Sequence, residues 1–196
     1  MNLLSWVATG ILLSTAMGLL LVRDWRISLG ILGVQYVGVF WLSSLHWPLS
    51  MAAVKLVSGW MCVVVLGMTS LGLKGGMPGA DEFWTQGQLF RAFGASVVVL
   101  IVSVSAPRLE NVIPGMGLPV VYGGLFLTGL GILHLGIISQ PFRVVLGLLT
   151  MLAGFEIMYA AVESSILVAA MLSVINLGLA LVGAYLMVAS RGENVS

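Results

Sequence analysis

The sequence predicts an all-α fold, a polytopic transmembrane helix bundle of about seven spans. Of the 196 residues, 60% are hydrophobic and only 8% are charged, and the mean hydropathy is +1.13. A soluble domain carries about 25% charged residues, so this chain lacks the side chains to cover a water-facing surface. In addition, apolar runs recur along the chain at roughly the 20 residues that a helix needs to cross the hydrocarbon core.

The apolar runs define seven predicted spans, of which the fourth is the shortest. They lie near residues 3–22, 27–45, 49–72, 89–106, 119–138, 142–162 and 165–189. The one long connection, Leu73–Gln88, contains several glycines and Pro78, which break helices. These features predict a three-helix block at 1–73, a loop and the fourth span at 74–118, and a second three-helix block at 119–196.

Lysine and arginine are distributed unequally between the two predicted sides of the membrane. One side holds Arg23, Arg26, Lys74, Arg91, Arg143 and Arg191, whereas the other holds only Arg108. Cytoplasmic loops are enriched in these residues, so the first side is predicted to be cytoplasmic. The N-terminus then lies outside, the C-terminus and the 74–88 loop lie inside, and the chain is expected in the inner (cytoplasmic) membrane.

Composition argues against several classes of function. The net charge of +1 provides no basic face, so no nucleic-acid partner is predicted. The single cysteine, Cys62, excludes an internal disulfide and a zinc or iron–sulfur cluster held by thiolates of this chain alone. Without a phosphate loop or a metal-binding cluster of side chains, the chain is predicted to hold no cofactor or metal and to contribute no catalytic residue.

Two charged residues, Lys55 and Glu156, lie inside predicted spans. A charge at the centre of the bilayer costs about 2.5–3.5 kcal/mol even on the lenient insertion scale, so an unpaired one rarely persists without a role. Lys55 lies about six residues inside the outer end of the third span, and Glu156 about six residues before the outer end of the sixth. At ~1.5 Å per residue, both lie ~9 Å deep, where they are able to pair across the bundle.

Two interpretations of the intramembrane polar residues stay open. In the first, Glu156, Lys55, Glu163 and His134 are candidates for a proton relay, with Glu156 and Glu163 seven residues apart on one helical face. In the second, Lys55 forms a structural ion pair, the Glu163 side chain extends to the membrane–water interface, and His134 is a hydrogen-bonded histidine inside the bundle without a relay role. Asn176 gives the seventh span a polar face suited to hydrogen bonds between helices.

The stretch from Arg143 to Tyr159 resembles the second helix of the K subunit of respiratory complex I. The family motif Gly-Leu-Glu-Ile-Met is matched here by Gly154-Phe155-Glu156-Ile157-Met158, and 176–183 resembles the third helix of the family. The resemblance covers about residues 120–190. With the additional N-terminal block, the whole chain resembles the E membrane component of hydrogenase-4.

The resemblance implies a membrane-arm subunit of a complex I-like or membrane-bound hydrogenase-like assembly, with antiporter-like chains and the lipid bilayer as partners. Such a subunit would contribute to proton or sodium translocation, while other subunits perform the redox chemistry. The alternatives are a non-catalytic scaffold subunit of such an assembly or a stand-alone small ion transporter. The K family has a second intramembrane glutamate where this chain has Val174, so Glu163 or a partner chain would have to replace it.

A short internal repeat supports the division into two three-helix units. The run Arg26-Ile-Ser-Leu-Gly-Ile-Leu is similar to Arg143-Val-Val-Leu-Gly-Leu-Leu, and each opens a span that starts on the cytoplasmic side. This similarity predicts two related units joined by the fourth span.

Overall fold

The computed structural model describes residues 3–73, 86–113 and 115–193. These residues form seven helices: α1 (Leu3–Leu21), α2 (Trp25–Ser43), α3 (Leu49–Gly72), α4 (Gln86–Val112), α5 (Leu118–Ile137), α6 (Pro141–Val162) and α7 (Ile166–Glu193). Each of the seven is long and apolar enough to cross a membrane. The predicted all-α class and the predicted number of helices are therefore confirmed for the described part of the chain.

Local sequence fixes several of the helix ends. The Asp24 carboxylate accepts a hydrogen bond from the backbone N–H of Arg26 at 2.8 Å, which caps the start of α2. Pro141 opens α6, where the missing N–H of proline costs nothing because that group has no partner inside the helix. Gly117 precedes α5 with φ +80°, a conformation that favours glycine. These ends keep the connections short and neighbouring helices antiparallel.

The helices form two three-helix layers with one helix outside them. Within the layers, α1, α2 and α3 pack in sequence order, as do α5, α6 and α7. Between the layers, α1 packs on α5, α2 on α6 and α3 on α7, around buried leucines such as Leu12, Leu32, Leu66 and Leu146. Each helix thus meets its counterpart in the predicted repeat, although the relationship between the two units stays a prediction.

The prediction that the fourth span is the shortest is wrong, because α4 is 27 residues long and continues through Pro107. A proline inside a helix removes the N–H that would bond to the carbonyl four residues earlier, here that of Ser103. The hydroxyl of Tyr122 on α5 donates to the Ser103 carbonyl oxygen at 3.4 Å. The neighbouring helix therefore supplies the missing donor, and α4 continues past the proline.

Glycines allow a close crossing between α5 and α6. A Cβ atom added at Gly131 would lie 2.7 Å from the backbone nitrogen of Met151, and one added at Gly154 would lie 2.6 Å from the carbonyl oxygen of Gly124. Small residues at helix interfaces let backbones approach closely in membrane proteins. This crossing fixes the position of α6, the helix that carries Glu156.

Replacing Gly131 with alanine is expected to lower the free energy of unfolding by about 1–3 kcal/mol, the usual cost of overpacking. The Met151 backbone, not a flexible side chain, would have to move. The measurement is unfolding by sodium dodecyl sulfate titration in mixed micelles. Gly10→Ala is the matched control, because a Cβ there meets nothing within 4 Å and alanine gains up to about 1 kcal/mol in helix propensity. Equal effects of the two substitutions would contradict the close crossing.

Candidate functional site

Lys55 and Glu156 form a buried ion pair between α3 and α6. The Lys55 Nζ atom lies 2.7 Å from Glu156 Oε1, and both side chains are 2% exposed. The two residues are 101 positions apart in the sequence. The pairing expected from their depths in the third and sixth spans is therefore present in the structure.

Asn176 on α7 completes a three-helix contact. Its Nδ2 donates to the same Glu156 Oε1 at 2.9 Å, and its side chain is fully buried. One carboxylate oxygen thus accepts two hydrogen bonds, and hydrogen bonds to a charged group are roughly twice as strong as those between neutral groups. The polar face of α7 predicted from Asn176 is directed at Glu156, where it holds α7 against α3 and α6.

The pair does not use all the hydrogen-bonding capacity of its members. Among the described residues, no group donates to Glu156 Oε2 or to Asn176 Oδ1, although both atoms are buried. The Lys55 ammonium has three N–H donors, one of which is directed at Glu156. In the part of the chain that the structure describes, the site therefore keeps an unused acceptor on the carboxylate and unused donors on the ammonium.

α2 contributes two neighbouring buried polar residues, Gln35 and Tyr36. The Tyr36 ring packs against Gly59 of α3 with no room for a Cβ atom between them. Tyr36 lies within electrostatic range of Glu156. Gln35 Nε2 donates to Thr150 Oγ1 of α6 at 3.4 Å. The polar cluster, defined as Lys55, Glu156, Asn176, Tyr36, Gln35 and Thr150, thus involves four helices.

Trp47 is buried at the end of the bundle where α3 and α7 begin. It is 3% exposed, and its indole N–H donates to the backbone carbonyl oxygen of Glu163 at 2.9 Å. Trp47 packs with Ala160 and Ala169, and its ring meets Tyr159 edge-on with centroids 6.4 Å apart. Ala160 follows Glu156 by four residues, so Trp47 packs on the same face of α6 about one turn nearer that end of the bundle.

The other two relay candidates lie apart from the pair. Glu163 follows the last residue of α6, and its exposed carboxylate accepts a hydrogen bond from the Ser164 backbone N–H at 3.2 Å. His134 is buried on α5 within electrostatic range of Arg143 and Arg91. Of the four candidates, the structure brings together Lys55 and Glu156, and a relay role for any of them stays a prediction.

Several predicted cytoplasmic arginines gather at one end of the bundle. Arg23, Arg91 and Arg143 lie within electrostatic range of one another. The Arg143 guanidinium donates to the carbonyl oxygens of Val22 at 2.7 Å and Leu19 at 3.4 Å, at the end of α1. Those carbonyls lack partners within the helix, so Arg143 caps α1 as it opens α6. We call this the arginine end of the bundle.

Sequence reasoning missed Gln35, Tyr36 and Thr150. The adjacent Gln35 and Tyr36 in an otherwise apolar span were a usable signal, because polar side chains in spanning helices usually face the bundle interior. Thr150 offered no such signal, since threonine occurs commonly in spanning helices. Within 3–73, 86–113 and 115–193, no three His, Cys, Asp or Glu side chains are close enough together to hold a metal ion.

No protein-family model, curated protein or solved structure matches this chain. The resemblance to the complex I K subunit therefore stays a prediction, based on the motif residues at 143–159 and 176–183. Glu156 belongs to the first of these segments and Asn176 to the second, and the two side chains are in direct contact.

Proposed function

We propose that this chain is a membrane-arm subunit of a complex I-like or membrane-bound hydrogenase-like assembly, in which it contributes to proton or sodium translocation. Redox chemistry in other subunits supplies the energy. The observation that carries the proposal is the buried Glu156 carboxylate, which lies in the complex I-like motif and pairs with Lys55 at 2.7 Å. Ionisable groups inside spanning helices commonly mark ion pathways.

The proposed chemistry follows from the charge balance of the pair. Lys55 and Glu156 together are neutral, and a proton arriving at the free Glu156 Oε2 leaves a neutral carboxyl beside an ammonium. The pair then carries one excess positive charge, which is unfavourable in a low-dielectric interior. This favours release of a proton from the pair to the next group. Glu156 is the relay carboxylate in this scheme, and Lys55 modulates it.

A scaffold role is the second candidate, and the contact of Asn176 with Glu156 favours it. The Glu156 carboxylate joins α3, α6 and α7 through two short contacts. A fixed connection of this kind would hold three helices in register without any movement of protons. The two roles differ in whether Glu156 must change its protonation state.

The assembly proposal is tested by purifying the tagged chain from its native membrane in mild detergent. We expect a large complex that contains antiporter-like membrane chains and redox subunits. The broad apolar surface of the chain and its buried charge pair are typical of a subunit that packs against lipid and partner helices. A stable, monodisperse monomer that transports ions unaided would contradict the proposal.

The proposed orientation places the N-terminus outside the inner membrane and the arginine end in the cytoplasm. A reporter enzyme that is active only outside the membrane should be active when fused after Ser44, in the connection that follows α2. The same reporter should be silent after Ser196, which lies outside the described residues. The expectation rests on the preference of lysine and arginine for cytoplasmic loops. The reverse activity pattern would overturn the orientation.

A further inference from the structure

Four buried oxygen atoms in the polar cluster have no hydrogen-bond donor among the described residues. They are Glu156 Oε2, Asn176 Oδ1, Tyr36 OH and Gln35 Oε1. The four side chains are at most 2% exposed, and they come from α2, α6 and α7. Buried polar atoms are normally satisfied by protein or by internal water, and leaving several unsatisfied is strongly destabilising.

Charge decides which ligand these oxygens bind. An all-oxygen set beside a carboxylate suits a monovalent cation as well as a hydrogen-bond donor. The ammonium of Lys55 already neutralises Glu156 at 2.7 Å, so a bound cation would leave the cluster with a net positive charge and repel Lys55. A water molecule is neutral, donates to two acceptors and accepts from an ammonium, so it fits the oxygens and the remaining Lys55 donors together.

We propose that internal water binds in the polar cluster and joins the Glu156 carboxylate to Tyr36 and to the Gln35–Thr150 pair. Thr150 precedes Glu156 by six residues, which is ~9 Å along α6 toward the arginine end. The Gln35–Thr150 hydrogen bond lies at this depth. If the proposed function holds, on which this use of the water rests, the water passes protons between Glu156 and the Gln35–Thr150 pair.

Substituted cysteines test the water site in native membranes that contain the whole host complex. In a Cys62→Ala background, Gln35→Cys and Thr150→Cys place a thiol on either side of the proposed water. Leu32→Cys and Leu146→Cys are matched controls, because both leucines are fully buried and lie about one turn closer to the arginine end on the same helices. If no water were bound in the polar cluster, a probe coming from the arginine end would therefore reach the control thiols at least as easily as the test thiols.

The probe is Ag⁺, a small soft cation that binds thiolates and travels through water. Thiols that escape Ag⁺ are then labelled with a maleimide in denaturing detergent. Gln35→Cys and Thr150→Cys are expected to react about tenfold faster than the two controls, because a thiol must be ionised and hydrated to react. Two test positions on different helices guard against one variant failing to fold.

Equal rates at the test and control positions would overturn the water site. Protection of the test thiols by excess Na⁺ but not by choline would also overturn it, in favour of a cation site. The reaction of the thiols with Ag⁺ is measured without an electron donor, so it does not depend on pumping. If the test thiols react fast with Ag⁺ but Glu156→Gln pumps normally, the proposed function alone is rejected. If the test thiols react as slowly as the controls but Glu156→Gln loses pumping, the water site alone is rejected.

Discussion

Replacing Lys55 with methionine is expected to lower the free energy of unfolding by about 3–5 kcal/mol, the usual cost of breaking a buried ion pair from one side. Methionine keeps much of the length of lysine and removes its charge. Glu156 would then be left 2% exposed with Asn176 as its single described donor. The measurements are the amount of assembled complex in membranes and the resistance of the purified complex to denaturing detergent.

Two further variants make this result specific to the pair. Lys55→Met combined with Glu156→Gln removes both charges, so much of the lost stability should return. Arg108→Met removes an exposed positive charge and should stay within about 0.5 kcal/mol of the unchanged protein. A double variant as unstable as Lys55→Met alone would contradict the importance of the ion pair.

If Glu156 carries protons, its neutral form beside the Lys55 ammonium is a working state of the protein, so replacing Glu156 with glutamine is expected to leave the complex assembled and to reduce coupled ion pumping on the order of 10²-fold, the lower range for loss of a positioned proton-transfer group. If the pair is purely structural, the same change leaves the buried Lys55 uncompensated at a cost of about 3–5 kcal/mol, and assembly is lost first. Glutamine keeps an acceptor oxygen for Asn176 and Lys55 but does not titrate. Pumping is measured as acidification of inverted vesicles during redox turnover. Glu163→Gln is the matched control, because that carboxylate is exposed beyond α6, and it should pump normally.

The double variant, Lys55→Met with Glu156→Gln, also separates the relay from the scaffold. Restored assembly with pumping still impaired would support a relay through Glu156. Restored assembly with full pumping would show that the pair holds α3 and α6 together and carries no protons.

The number of helices was predictable from the sequence, whereas the end of α4 was not. Apolar runs long enough to cross a bilayer identify the helices directly. Pro107 removes a backbone donor and so disfavours a helix that continues past it, but the Tyr122 hydroxyl on another helix replaces that donor. A contact between residues 19 positions apart depends on how α4 packs against α5, which the local sequence does not determine.

The ion pair was predictable because charges are scarce in the spans and depth along each helix can be counted. The rest of the polar cluster depends on how each helix is rotated about its axis. Gly59 accommodates the Tyr36 ring, and this contact fixes the α2 face that brings Gln35 to Thr150. Trp47 precedes the predicted third span, a position where tryptophan is typical of a membrane interface. In the structure it is 3% exposed, because Ala160 and Ala169 leave space for its ring.

The long sequence separation of the ion pair also has a consequence for biosynthesis. Lys55 is made 101 residues before Glu156, which at ~5–20 residues per second is roughly 5–20 s of translation. During that interval Glu156, the carboxylate that pairs with the Lys55 ammonium in the structure, has not been made. In the proposed membrane position, Lys55 lies ~9 Å from the helix end, and we expect its long side chain to reach the lipid headgroups until α6 is made. The pair therefore cannot form until α6 is made, and its closure then joins the second three-helix layer to the first.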